Sequence, residues 1–177
     1  WVGSGGMYFV VPMEHRLRLE PRHFSPMIRH TLKDKLRKEV EGKPSRRYGF
    51  VVNVLDVKGL ELTPGKLDDG TGQAVFVLKY KALVFCPYEG QVLDAIVTEV
   101  VNGGLGVVAE AGPWTIFVAR NNMPDDFVFD QATESWRSVD QLYKIEVSST
   151  VRLRVSGTDP QRCSGTGSMR GDFLGVV

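Results

Sequence analysis

The sequence predicts an α+β domain followed by an all-β domain. Helix-type periodicity is confined to residues 25–42 of the 177, whereas runs of β-branched and aromatic residues occur along the whole chain. One long β-type run ends before Pro87 and another begins after Gly90, because proline cannot donate to a sheet and glycine tolerates positive φ. The net charge changes sign at the same break. We therefore predict two domains, residues 7–85 and 86–177.

The two predicted domains carry opposite charge. Residues 1–85 hold fifteen Lys and Arg against nine Asp and Glu, a net charge of +6, whereas residues 86–177 hold seven against twelve, a net charge of −5. This asymmetry indicates a different partner for each half and excludes a uniformly basic nucleic-acid binder. No apolar run approaches the roughly 20 residues of a membrane-spanning helix, so we expect no membrane contact.

The remaining composition predicts neither a metal nor a cofactor. Residues 1–6 are rich in Gly and Ser, which indicates a tag remnant or a disordered arm. Cys86 and Cys163 lie far apart without CxxC spacing, so we expect free thiols in a reducing compartment. The three histidines lack the spacing of metal ligands.

The N-terminal domain is predicted to begin with a strand region and a helix. Residues 7–19 alternate weakly, which predicts one or two strands that end by Pro21. Ser25 and Pro26 are suited to the N-cap and the first position of a helix, and Gly42 is suited to its end. The apolar stripe of this helix consists of Ile28, Leu32, Leu36 and Val40.

The rest of this domain is predicted as two strands and a basic surface. Strands are expected at residues 48–57 and 73–85, with a turn-rich loop at residues 59–72 between them. The cations of the helix and of the loop after it are Arg29, Lys33, Lys35, Arg37, Lys38, Lys43, Arg46 and Arg47. This surface is either an ordinary solvated face or a patch for nucleic acid or an acidic partner.

The C-terminal domain is predicted as strands and turns. Strands are expected at residues 91–101, 105–111, 114–119, 151–156 and 167–177, with turns at Asn102-Gly103-Gly104 and Gly112-Pro113. Residues 121–150 form a polar excursion with little periodicity. Five short strands with a long connection between the third and the fourth predict a small Greek-key OB barrel.

Short motifs along the chain occur in the order and spacing of a known family. They are Leu19-x-Pro21-x-x-Phe24, Glu39-Val40-Glu41-Gly42, Tyr48-Gly49-Phe50-Val51, Pro64-Gly65, Val77-x-Lys79-Tyr80-Lys81-Ala82-Leu83-Val84-Phe85, Gly112-Pro113 and Asp172-Phe173-Leu174-Gly175. With these motifs the chain resembles the stalk subunit of RNA polymerase, which is the seventh-largest subunit of eukaryotic RNA polymerase II and has a counterpart in the archaeal enzyme. The C-terminal half resembles an S1-type OB domain.

The resemblance implies a fold and a function. The fold is an N-terminal ribonucleoprotein-like tip domain followed by a five-stranded S1-type OB barrel. The function is that of a non-catalytic subunit of a nuclear DNA-dependent RNA polymerase, in a heterodimer with the smaller fourth-subunit-type partner. The family also implies that the tip docks at the base of the polymerase clamp and that the OB domain contacts nascent RNA and initiation factors.

Two sets of contact residues are predicted for protein partners. For docking to the polymerase core the set is Pro21, Phe24, Gly42, Pro64 and Gly65, which are expected in loops that gather at one end of the tip domain. The alternative is that these are ordinary turn residues. Tyr80 and Tyr88 flank the break between the domains and are predicted to contact the smaller partner protein.

Contact with RNA is predicted to be weak. The candidate RNA-binding residues are Lys79, Lys81, Phe117, Arg120, Arg152 and Arg154. Phe117 could instead belong to the barrel core, and the cations could form plain polar faces. Val108 stands where S1 domains often carry an exposed aromatic, and Asn121 where many relatives carry a histidine. A lost stacking platform and a charge of −5 both weaken RNA binding.

Two other functions stay open at this level. A free-standing S1 protein that binds single-stranded RNA would need the OB domain but not the N-terminal one. An enzyme is disfavoured, because Asp125, Asp126 and Asp130 have no lysine or histidine paired with them.

Overall fold

The computed structural model describes residues 6–58 and 64–177, and the chain divides into two compact units, residues 1–86 and 87–177. Most of the predicted arm at residues 1–6, and part of the loop predicted at residues 59–72, lie outside the described residues. Each unit is considered by itself below.

The N-terminal unit is an antiparallel sheet with one helix packed on it. Its elements are β1 (Tyr8–Leu19), α1 (Ile28–Val40), β2 (Pro44–Ser45), β3 (Gly49–Lys58), β4 (Lys66–Leu67) and β5 (Ala74–Phe85), with a short 3-10 turn at Pro21–His23. The strand order is β1-β5-β3-β2, and β4 pairs with the start of β5. The strands predicted at residues 48–57 and 73–85 are confirmed, and the weakly alternating N-terminal segment forms a single strand.

The predicted helix is correct except at its start. α1 begins at Ile28 with Met27 as the N-cap residue, so the prediction of Ser25 as the cap is wrong. The hydroxyl oxygen of Ser25 instead accepts a hydrogen bond from the backbone N–H of Met27, and it stabilises the turn before the helix. Gly42 ends the helix as predicted, with a φ of 74° that favours glycine.

The apolar stripe of α1 forms the core with one face of the sheet. Leu32, Leu36 and Val40 are buried against this face. Two side-chain hydrogen bonds also hold the C-terminal end of the helix to the sheet. Glu39 is hydrogen-bonded to His15 of β1 at 3.0 Å, and Glu41 accepts a hydrogen bond from the backbone N–H of Val54 at 2.8 Å. The helix is therefore held in a fixed orientation on the sheet.

The C-terminal unit is a closed barrel with a small added sheet. Its strands are β6 (Val92–Val101), β7 (Gly106–Ala111), β8 (Trp114–Ala119), β9 (Phe127–Asp130), β10 (Ser135–Ser138), β11 (Lys144–Ile145), β12 (Thr150–Asp159), β13 (Ser164–Ser168) and β14 (Gly175–Val176). Strands β13, β8, β7, β6 and β12 pair in this order, and β12 also pairs with β13. The predicted five-stranded barrel is confirmed, with β8 and β13 as its parallel pair.

Two elements of this unit differ from the sequence prediction. The excursion at residues 121–150 contains a three-stranded sheet, β11-β10-β9, whose strands have two to four residues and are too short to show periodicity. The fifth barrel strand lies at Ser164–Ser168 and not at residues 167–177. Its sequence is Ser-Gly-Thr-Gly-Ser. Glycine fits at position 165 because an added Cβ there would lie 2.6 Å from the carbonyl oxygen of Gly157.

Candidate nucleic-acid interface and docking surfaces

Phe117 lies on the outer face of the barrel. Along β8 the side chains alternate, so that Trp114, Ile116 and Val118 are fully buried while Phe117 is 36% exposed. The two-residue period of a strand produces this pattern. The core alternative for Phe117 is therefore excluded, and Trp114 offers no surface to a base or to a partner.

The ring of Phe117 is surrounded by small residues. Across the sheet it pairs with Val108 of β7 and Thr166 of β13. A Cβ added to Gly106 would lie 3.1 Å from the Phe117 ring, so this glycine lets the ring lie close to the backbone. The arrangement provides one aromatic surface on which a single base can stack.

Carboxylates lie on the same barrel face. Both Glu110 of β7 and Glu99 of β6 are exposed; Glu110 pairs with Thr115 of β8, and Glu99 pairs with Val108, the β7 residue opposite Phe117. Their negative charge opposes the approach of phosphates. The geometry thus fits weak contact with a base better than strong contact with a nucleic-acid backbone.

Arg152 is already engaged in an ion pair. Its guanidinium donates to both carboxylate oxygens of Asp94, at 2.7 and 3.0 Å, across the β6–β12 pairing. The hydrogen bond from Arg152 lowers the pKa of Asp94, and the same contact raises the pKa of Arg152. Arg154, two residues further along β12, is exposed and makes no ion pair within the described residues.

The other predicted RNA-binding cations are dispersed. Arg120 is exposed in the short turn after β8 and lines a cavity of about 190 Å³ together with Phe127 and Arg170. Lys79 and Lys81 belong to the N-terminal unit and share the face of its sheet opposite α1, as their spacing predicts. Each of these lysines has an acidic cross-strand neighbour in β1 or β3.

Four of the five predicted docking residues gather at one end of the N-terminal sheet. The pairing of Leu19 with Ala74 places the turn after β1 at the start of β5, where β4 also pairs. This turn holds Pro21 and Phe24, and Phe24 donates its backbone N–H to the carbonyl oxygen of Pro21. Pro64 and Gly65 directly precede β4. We call the exposed residues Pro21, Phe24, Met27, Pro64, Gly65 and Leu67 the loop end.

Gly42 does not belong to the loop end. Its backbone N–H donates to the carbonyl oxygen of Val51, which pairs with Val84 near the far end of β5. Val84 lies ten residues from Ala74, which is about 33 Å along a strand. The prediction that all five residues gather at one end is therefore wrong for Gly42, because α1 carries the chain across the length of the sheet.

The two predicted partner-contact tyrosines differ in exposure. Tyr88 is half-exposed in the turn before β6. Tyr80 is only 4% exposed, and burial raises the pKa of its hydroxyl, so the expectation of an open contact surface at Tyr80 is not met. Tyr80 does line a cavity of about 640 Å³, together with Met13 and Tyr48.

Sequence reasoning did not single out several exposed apolar side chains. Phe173 is 93% exposed and has a φ of 63°, which is unusual for a residue other than glycine. Its only sequence signal was its place in a family motif. On and after the small sheet, the exposed apolar residues are Val128, Val139, Leu142, Tyr143 and Val147. The sequence shows that these side chains are hydrophobic, but segments this short have no periodicity from which their exposure could be predicted.

Two of the three aspartates at positions 125–130 are paired with arginines. Asp125 pairs with Arg170, and Asp130 pairs with Arg137 at 3.6 Å. Within residues 6–58 and 64–177, no group of three His, Cys, Asp or Glu side chains is arranged to hold a metal ion. In the same part of the chain, no helix is long and apolar enough to cross a membrane.

Comparison with known families and proteins agrees with this architecture. The family described as the SHS2 domain found in the N terminus of Rpb7p/Rpc25p/MJ0397 matches residues 14–72, and the S1 RNA binding domain matches residues 87–170. The match of each family falls within one structural unit.

Curated relatives match over nearly the whole chain. The DNA-directed RNA polymerase II subunit rpb7 of Dictyostelium discoideum is 41% identical, over 97% of this chain and 99% of its own length. The corresponding RNA polymerase II subunits of Glycine max and Saccharomyces cerevisiae are 39% and 31% identical, each over 97% of this chain and over 97% and 100% of their own lengths. These matches confirm the resemblance drawn from the motifs, and the chain belongs to the Rpb7 family of RNA polymerase subunits.

Proposed function

We propose that this chain is a non-catalytic stalk subunit of nuclear RNA polymerase II and acts in transcription by binding other molecules. One observation carries the proposal: relatives that are named RNA polymerase II subunits match 97% of the chain, across both units. A match to the S1 domain alone would have fitted many RNA-binding proteins. The match of residues 14–72 to the SHS2 domain of Rpb7-type proteins favours a polymerase subunit over these other RNA-binding proteins.

The loop end is the proposed docking surface for the polymerase core, at the base of the clamp. It presents the apolar side chains of Phe24, Met27 and Leu67, which are 44%, 66% and 67% exposed. Exposed apolar residues that cluster on loops of a rigid sheet are typical of protein contact sites. Gly65 supports this arrangement, because a Cβ there would lie 2.6 Å from the ring of Phe76.

The smaller fourth-subunit-type protein is the proposed partner in a heterodimer. Tyr88 and the cavity lined by Tyr80 are the features that fit such a contact, since buried aromatic anchors dominate protein interfaces. The barrel face around Phe117 is proposed to contact nascent RNA weakly. Initiation factors are proposed to contact the same unit.

Copurification tests the proposal. A tagged chain expressed in its native host should retain the large RNA polymerase II subunits and one smaller partner, as identified by mass spectrometry. Phe24→Glu should release the polymerase core while keeping the partner, because a charge at the loop end opposes burial. Tyr143→Glu, at a similarly exposed aromatic just before β11, is the control. Recovery of neither polymerase nor partner by the unmodified chain would refute the proposal.

A free-standing single-stranded-RNA-binding protein is the second candidate. The observation that favours it is the exposure of Phe117 on the barrel face. In that case the purified chain alone would bind RNA tightly, and the native complex would contain RNA but no polymerase subunit.

A further inference from the structure

Exposed cations occur along α1 and in the segment that follows it. Lys33, Arg37 and Lys38 are exposed on the helix, and Lys43 and Arg46 are exposed in the segment that follows it. We call these five residues the basic helix face. Lys33 and Arg37 are one helical turn apart, so their backbones are separated by about 6 Å along the axis.

The acids of this segment do not neutralise the basic helix face. Residues 29–47 contain eight Lys and Arg but only three Asp and Glu. Asp34 pairs with His30 at 3.2 Å, Glu39 bonds His15, and Glu41 accepts the N–H of Val54. Within the described residues, none of the five cations forms an ion pair.

The cations are displayed on a rigid element. Leu32, Leu36 and Val40 are buried in the core, so the helix cannot turn to hide its charged side. Two hydrogen bonds from the C-terminal half of α1 and from the residue after it reach the sheet. A ligand that binds here therefore orders only the ends of long side chains, and this lowers the entropic cost of binding.

The lack of large exposed apolar side chains around the basic helix face favours a nucleic acid over a protein as its partner. Within residues 28–51, the structure shows no large exposed hydrophobic side chain, although Phe24 and Met27 lie just before this stretch and Val52 just after it. Protein interfaces depend on buried aromatic and aliphatic anchors. A nucleic-acid backbone needs only cations, because its affinity comes largely from the release of counterions from phosphates.

We propose that the basic helix face binds the phosphate backbone of single-stranded RNA without sequence preference. The choice of RNA rests on the proposed function, because the same chain contains a match to the S1 RNA binding domain. The two surfaces differ in chemistry: the barrel face offers an aromatic ring among carboxylates, and the helix offers cations.

A salt titration of RNA binding tests this proposal on the full-length purified chain. The probe is a fluorescein-labelled oligouridine, followed by fluorescence anisotropy. Each phosphate contact with a single strand contributes about 0.7 to the slope of log K against log salt. Lys33→Glu with Arg37→Glu should therefore reduce the slope by about 1.4.

The control has the same net charge change at other places. Lys66→Glu with Arg162→Glu replaces two exposed cations that belong neither to α1 nor to the segment after it, and it should leave the slope close to that of the unmodified chain. The effect of the helix variant should persist in a Phe117→Ala background, because the two surfaces act independently. Circular dichroism confirms that each variant is folded.

Three outcomes would overturn the proposal. Equal slopes for the helix variant and the control would show that only net charge matters. A loss of binding to a duplex DNA probe without a loss for oligouridine would assign the face to DNA. An unchanged RNA slope, with loss of a protein from the native complex, would make it a protein contact. The first two outcomes are measured on the purified chain alone and do not depend on whether the chain copurifies with polymerase, so failure of the two proposals can be told apart.

Discussion

At the scale of the residue, strand alternation and local pairing decide what each candidate can do. Phe117 is exposed because it occupies an outward position of β8 between buried neighbours. Arg152 also points outward, but Asp94 faces it across the sheet and holds its guanidinium. Both residues were predicted to contact RNA, but the side chain of Phe117 is accessible and that of Arg152 is engaged with Asp94.

Phe117→Ala should weaken binding of single-stranded RNA. Stacking of one base on an aromatic side chain is worth about 1–3 kcal/mol, which corresponds to roughly 5- to 150-fold in affinity. The loss should be seen by anisotropy with the oligouridine probe. Ile96→Ala removes another exposed apolar side chain from the barrel and is the matched control. Equal losses for the two variants would contradict a stacking role.

Arg152→Gln should raise the pKa of Asp94 toward its ordinary value, because the hydrogen bond that lowers it is lost. A lowered folded-state pKa means that the pair adds stability above the unfolded pKa of about 3.9 and loses it as the pH falls through the folded value. NMR titration of the Asp94 carboxyl measures the shift. Arg154→Gln is the control, and a shift of Asp94 in that variant instead would argue against the pairing.

At the scale of the element, glycines mark the places where backbones approach closely. Gly42 and Gly49 both have φ values in the left-handed region, 74° and 81°. A Cβ at Gly42 would meet nothing within 4 Å, whereas a Cβ at Gly49 would lie 2.6 Å from the carbonyl oxygen of Phe85. The first glycine is needed for the helix end alone, and the second also for the contact between β3 and β5.

Gly42→Ala should cost about 1–2 kcal/mol of unfolding free energy, the penalty of a left-handed conformation for a residue with a Cβ. Gly49→Ala should cost more, because the backbone of β5 must also move away. Urea unfolding of the two variants measures the difference. A smaller loss at Gly49 than at Gly42 would show that the close approach to Phe85 does not constrain the sheet.

At the scale of the whole molecule, the chain consists of two units with separate cores and opposite charge. Each of the five barrel strands pairs with a neighbouring strand on both sides. The barrel core contains Leu93, Ile116 and Leu153. A closed barrel leaves no long unpaired edge in those strands. We infer that this unit is an independent folding domain.

Residues 87–177 produced alone should therefore fold. The expected result is a dispersed NMR spectrum whose barrel amide shifts match those of the full chain, together with a cooperative thermal transition. The proposed docking residues of the loop end are absent from this fragment, so it should not recover the polymerase core from a native extract. A collapsed spectrum typical of an unfolded chain would contradict the inference of an independent domain.

Long periodic segments were predictable from sequence, and short ones were not. The four-residue stripe of α1 and the alternation around Val151, Leu153 and Val155 extend over enough residues to identify element and face. The strands β9–β11 and the Ser-Gly-Thr-Gly-Ser strand β13 have no such pattern. β13 exists because β8 and β12 offer it partners on both sides, and this pairing depends on residues far away in the chain.

For the candidate site, the face on which a residue lies was predictable from sequence, whereas its pairing partner was not. Spacing alone placed Arg152 and Arg154 on one outward face, and placed Lys79 and Lys81 on another. Which cations are neutralised depends on cross-strand register, and register joins residues that are far apart in sequence. Asp94 and Arg152 are separated by 58 positions, so no local pattern could predict their ion pair.

By itself, the sequence determined the family, the two-part fold class and the opposite charge of the two halves, because these follow from residue identity, order and periodicity. Only the tertiary structure decided that Gly42 lies far from the loop end, that Tyr80 is buried, and that the cations of the basic helix face lack carboxylate partners among the described residues. The physical reason is that burial, pairing and proximity are properties of contacts between distant segments, which exist only once the chain has folded.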